Sequence, residues 1–255
     1  FVVVFIFVSS NLFAVSSPVV NCCHCRHCRH CRRRQLSPVV RAMASSTSSR
    51  TKTGVISLVG SSAIVSEFFG YAVNSILFQR GIYEPETFDR KKKYGLAMMV
   101  TNEEKLRAYL NNVMEQVQNW LKTGQLQRLV LVVVSTETHA TLERWTFDVS
   151  TNTELEGASA DATVAAKPEK ELSGEIAAIL RQITASVSFL PLIDEPCAFD
   201  LLAYADSSVD VPMEWEESDA RLIAKSAQVR LRSFNTNAHQ VEATVAYRDD
   251  DADGA

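Results

Sequence analysis

The sequence predicts an α+β fold: three helices on one sheet, then a C-terminal section of strands less firmly tied in. Three observations carry this. Ser57 to Arg80 is apolar on nearly every face, the mark of a helix buried all round. Two further stretches, from Thr101 and from Lys170, repeat apolar residues at spacings of three and four. Between and after them lie continuous or alternating apolar runs of strand length.

The first helix ends at Gly81, a left-handed stop, with Pro85 soon after. The basic run "RKKKY" that follows reads as a solvated loop rather than a phosphate contact. Thr101 and Glu104 have capping-box spacing, and Glu103 adds negative charge, so Thr101 is expected to open the second helix. Its buried face is Leu106, Tyr109, Leu110, Val113, Met114, Val117, Trp120 and Leu121, and Gly124 closes it. "LVLVVV" from Leu129 and "ERWTFDV" from Glu143 form a hairpin, with Trp145, Phe147 and Val149 on one face and Arg144, Thr146 and Asp148 on the other. Thr151 to Lys167 has no period and reads as a loose loop. The third helix spans about Lys170 to Ser188, with Arg181 and Gln182 beside its apolar stripe. "CAFDLLAYA" is a strand, "VDVPMEWEES" is irregular, "QVRLRSF" is extended, and "HQVEATVAY" is a strand.

The 255 residues carry a net charge of −4, which conceals an asymmetry. Phe1 to Ser66 holds no acid against seven Arg and one Lys, so the body is strongly acidic. An acidic body has no field to gather phosphates, which argues against nucleic acid as a partner. The apolar start "FVVVFIFVSSNLFAV" is too short for a spanning helix, and no membrane is expected. It could be the core of a secretory signal or part of an Arg-rich transit peptide. Met43, opening "MASSTSSR", is a plausible start, so residues 1–42 are expected to be a non-native or removed, disordered leader. Residues 43–56 are then a flexible arm, 57–248 the domain, and 249–255 a disordered acidic tail.

Five of the six cysteines lie in "NCCHCRHCRHCRRR". Structural zinc sites use two ligand pairs separated by a dozen or so residues, whereas these candidates fall within ten residues, interleaved with arginine. No metal or cofactor is therefore expected. The body has neither a GxGxxG nor a phosphate loop, and its histidines are His139 and His239. Cys197 opens an apolar strand, where a small buried hydrophobe is the commoner role. An enzyme is not expected.

The stretches "EFFGYAVNSILFQRGIYEPETF", "YLNNVMEQVQNWL", "LERWTFDV", "RQITASVSFLPL", "FDLLAY", "WEES", "VRLRSF" and "VAY" occur in order over about three quarters of the chain. Together they resemble the HORMA-domain family, and within it the spindle-assembly-checkpoint branch more than the translesion-polymerase accessory or meiotic axis branches. The resemblance implies three helices on a mainly antiparallel sheet, with residues 205–248 as a mobile safety belt that has open and closed arrangements. It implies that Phe199, Asp200, Leu201, Leu202 and Tyr204 lie on the edge that takes a partner's closure-motif peptide as an added strand. Trp215, Val229, Leu231, Phe234, His239, Val241, Val245 and Tyr247 would form the belt, whose last strand moves on closing to the edge at Glu143–Val149. Leu58 matches a position that influences the open–closed balance. Arg181, Gln182 and Phe189 match a face on which open and closed copies associate, with Arg80 and Glu143 as a charge pair nearby. The implied partners are the kinetochore receptor (mitotic arrest deficient one protein) and the cell-division-cycle coactivator of the anaphase-promoting complex. The implied location is nucleus and cytoplasm, and the kinetochore in mitosis. A metal-binding or organelle-targeted protein defined by its leader is the alternative from another class.

Overall fold

The computed structural model describes residues 2–7, 54–152, 155, 163–223 and 225–249. The zinc-like Cys/His run, most of the expected leader and the tail beyond Asp249 lie outside the described residues. In chain order the elements are β1 (Val2–Phe7), β2 (Val55–Ser57), α1 (Leu58–Gln79), β3 (Phe88–Lys93), β4 (Leu96–Thr101), α2 (Glu104–Lys122), β5 (Leu126–Ser135), β6 (Thr141–Thr151), β7 (Thr163–Ala165), α3 (Glu169–Ala185), β8 (Cys197–Asp206), β9 (Trp215–Glu217), β10 (Ser226–Asn235) and β11 (His239–Arg248).

Seven strands form one sheet in the order β10-β11-β6-β5-β8-β1-β9, every neighbouring pair antiparallel. The expected α+β arrangement is therefore present. Helix α1 packs against α2, α3, β4 and β11, which explains an apolar composition on nearly every side. It starts at Ser57, whose side chain accepts from the Gly60 amide at 3.1 Å. It stops where Gly81, at φ +64°, lets its amide reach Phe78 O and the Ile82 amide reach Leu77 O. The core between helices and sheet holds Phe68, Phe69, Trp145, Phe147, Leu129, Leu131, Leu201 and Ala203. A smaller apolar cluster, Val130, Val132, Val134 and Leu202, lies on the opposite face. Among the described residues no helix is long and apolar enough to cross a membrane.

Four local expectations are corrected. Thr101 is not the cap of α2. Its amide is taken by Asn74 Oδ1 at 2.8 Å and it pairs with Phe88, so Glu103 caps instead, accepting from the Lys105 and Leu106 amides. "RKKKY" is not a loop but β3 and the first turn residue of the β3–β4 hairpin. Tyr94 and Gly95 both take positive φ, the two-residue turn whose twist suits a hairpin. Lys93 and Tyr94 then bond the two oxygens of Glu67 on α1. Thr163–Ala165, expected in a loose loop, pairs with Val55–Ser57, so the end of the expected flexible arm is also a strand. Finally, Val2–Phe7, expected within a disordered leader, is a strand inside the sheet.

Candidate functional site

The site is built on β8, an inner strand of the sheet, and the chain that surrounds it. β8 bonds β5 on one side and β1 on the other. The residues expected to receive a peptide are thus in one strand beside an added one, but on two faces. Phe199 and Leu201 point into the helix-side core, where Phe199 stacks edge-on with Tyr83 and Tyr109. Leu202 and Tyr204 lie with the valines of the far face. Asp200 pairs with Arg221 at 3.5 Å.

After β8 the chain runs to β9 at one extreme edge of the sheet, then to β10 at the other. Six inter-strand spacings amount to about 29 Å. The nine residue steps from Glu217 to Ser226 reach about 31 Å when extended. The connecting strap has almost no slack, so it crosses the far face directly. Arg144 marks the crossing: its guanidinium donates to Ala220 O (3.3 Å), Thr146 Oγ1 (3.0 Å) and Tyr204 OH (2.7 Å). Sequence patterning put Arg144 only on a polar face, with no signal that it would hold a strap. A strand between β8 and β9 is therefore encircled by chain, the ring being closed by the β11–β6 pairing, and leaves only by sliding lengthwise or by release of that pairing.

The remaining belt residues form the β10–β11 hairpin, and β11 pairs with β6 from His239↔Thr151 to Tyr247↔Glu143. This is the arrangement described above as closed. Val241 and Val245 are fully buried, and Val229, Leu231 and Tyr247 are half-buried against the same core. A bulge between Arg230 and Ser233 brings Phe234 onto the core side with Val229 and Leu231; strict alternation would have turned it outward. The bulged Arg232 amide is satisfied by Gln182 Oε1 at 2.6 Å, and Glu175 Oε2 accepts from Asn235 N. Gln182, matched by resemblance to a face between copies, thus clamps the belt within its own copy. Arg181 and Phe189 are exposed. Leu58 is buried against Ala238, at the turn of the belt hairpin, and Leu155. Trp215 stands edge-on to Trp120 at 5.0 Å.

His239 bolts the hairpin to two helices. Its ring lies 2.6 Å from Ser61 Oγ through Nδ1 and 3.2 Å from Leu121 O through Nε2. A carbonyl can only accept, so Nε2 carries the proton and Nδ1 accepts from Ser61. Burial holds the ring below its ordinary 6.5, that is, neutral. Its stabilising contribution is complete above pH 6.5 and is lost as pH falls through the lowered folded value. Urea midpoints should fall between pH 7.5 and 5.5, and His239→Gln should flatten that fall; an unchanged slope would remove His239 from the account.

Arg80 and Glu143 form the expected pair, 2.5 Å apart and buried at the end of β6. Burial raises the Glu143 carboxyl, and Arg80 pulls it back part of the way. Cys197 is half-buried and its thiol is pushed up to about 11, mainly by burial, so it stays protonated at neutral pH. Among the described residues no cluster of His, Cys, Asp and Glu is arranged to hold a metal ion.

The HORMA-domain model matches residues 61–239, which takes in the helices, the β5, β6 and β8 strands and the chain as far as the start of β11. The chain belongs to the HORMA-domain family. Along its sequence it is 52% identical to the mitotic spindle assembly checkpoint protein MAD2A of Dictyostelium discoideum, over 81% of this chain and 98% of that protein. It is 48% identical to MAD2A of Homo sapiens, over 76% of this chain and 93% of that one. This HORMA domain superposes on a chain of the crystal structure of the mitotic checkpoint complex with a TM-score of 0.67 at 43% identity, covering 74% of this chain and 99% of that one. At 15% identity and a TM-score of 0.58, C. elegans HTP-2 bound to a HIM-3 closure motif shares the HORMA fold, over 75% of this chain and 92% of that one.

Proposed function

We propose that this protein is a spindle-assembly-checkpoint adaptor that traps an extended partner peptide between β8 and β9, beneath its belt. The observation that carries this is the ringed slot: an added strand gains main-chain bonds from two sides and cannot leave sideways. The similarity to checkpoint proteins over nearly their whole length supports the same reading. The partners proposed are closure-motif peptides of the kinetochore receptor and of the anaphase-promoting-complex coactivator. The protein would act at kinetochores in mitosis and otherwise in nucleus and cytoplasm, by binding rather than by catalysis. A protonated Cys197 thiol fits that role.

A coactivator peptide should bind and dissociate over hours, while a chain ending at Ser233, lacking β11, should not retain it. Rapid exchange by the intact protein would count against the belt. The proposed association of open and closed copies places Arg181, exposed on α3, at the contact with Phe189 near it. Arg181→Ala should abolish the dimer on gel filtration and leave peptide capture intact; an undiminished dimer would exclude that face.

A further inference from the structure

The slot in this molecule is filled by the chain itself. Val2↔Asp206 through Ile6↔Leu202 pair β1 with β8, and Phe5↔Glu217 through Phe7↔Trp215 pair it with β9. β9 has no other strand neighbour among the described residues, so the first segment of the belt joins the sheet only through Val2–Phe7. Without that strand, both β8 and β9 would present unpaired amides and carbonyls.

The fit is chemical as well as topological. "VVVFIF" is six β-branched or aromatic residues with no charge, the composition that best suits a strand covered on both faces. Ile6 is half-buried and, like Tyr204, packs against the far-face cluster of Val130, Val132, Val134 and Leu202, over which the strap passes. The register pairs Val2, Val4 and Ile6 with Asp206, Tyr204 and Leu202, and Val3 and Phe5 with Ala205 and Ala203. The 47 residues between Phe7 and Val55 far exceed the reach needed to return the strand to its own domain. A ligand tethered in this way binds intramolecularly, at an effective concentration that a dilute free peptide does not match.

We propose that Val2–Phe7 is a built-in strand ligand: the chain closes on its own N-terminal segment, which holds the slot against partner peptides until it is displaced or removed. This rests on the peptide-trapping role proposed above and adds to it an occupant and a mode of regulation.

The test uses the full chain, native and carrying Val4→Asp with Ile6→Asp, and a labelled synthetic peptide of residues 1–9 as probe. The V4D/I6D chain should take up the probe at least tenfold faster than the native chain, and a probe carrying Ile6→Asp should bind neither. Equal uptake by both chains, or by neither, overturns the proposal. Hydrogen exchange on the native chain is independent of any variant's folding. Amides of residues 3–7 should be protected together with those of β8, and fast exchange there overturns the proposal. Light scattering on both chains decides whether the strand acts within one copy. A dimer dispersed by V4D/I6D would place it in a second copy's slot and overturn closure on itself. Capture of the coactivator peptide by the V4D/I6D chain reads the proposed function separately. Capture of that peptide but not of the probe sinks only the built-in ligand; capture of the probe alone sinks only the partner assignment.

Discussion

Replacing Glu143 with alanine should lower stability by about 3–5 kcal/mol, because it strands the Arg80 guanidinium in a buried site. The two side chains are each 3% exposed and 2.5 Å apart. Arg80 also donates to Pro191 O at 2.6 Å, and Trp145 Nε1 donates to the second Glu143 oxygen at 3.0 Å. One pair thus joins the end of α1, the outer end of β6 and the loop after α3. Glu143→Gln should cost less, since it keeps an acceptor for Trp145, a hydrogen bond of about 1 kcal/mol. Replacing both members by apolar residues, Arg80→Met with Glu143→Leu, should recover most of the loss, because two desolvation costs disappear together. Urea midpoints at constant m decide it. A Glu143→Ala unfolding free energy within about 1 kcal/mol of native would mean that water reaches Arg80.

Phe234→Ala should cost a further class of stability, about 3–5 kcal/mol, concentrated in the closed belt. Phe234 is the one fully buried residue of β10, an otherwise exposed or half-exposed edge strand. Its ring meets Phe68 edge-on at 4.9 Å and so joins the Phe68–Phe69–Phe147 group between α1 and the sheet. If the loss falls on the closed arrangement, release of a trapped peptide should quicken about a hundredfold or more, at tenfold per 1.4 kcal/mol. A lowered urea midpoint with an unchanged release rate would assign Phe234 to general core packing and not to the belt.

Legibility followed the range of the interaction. The stripe of α2, the all-round burial of α1 and the β5–β6 hairpin each arise from residues close in sequence, and periodicity showed them. The extended character of β10 and β11 was legible in their apolar patterning, though not the bulge that turns Phe234 inward. Gln182 could be placed on α3, but its bond to the bulged Arg232 amide joins residues 50 positions apart. The Thr101 capping signal was sound locally and lost to a tertiary competitor, Asn74 on α1. The Tyr94–Gly95 hairpin was obscured by lysines, because a charged run carries no strand alternation even where its backbone pairs.

By itself the sequence determined the helices, the strands with strong apolar patterning, the acidic body and the family, all of which reside in local composition or in residue order. Only the tertiary structure decided which edge β11 occupies, that the strap has no slack, and that "VVVFIF" fills the slot it encloses. The reason is physical. Strand composition sets the propensity to pair but not the partner, and β1 meets β8 across about two hundred residues, a pairing that no local period encodes.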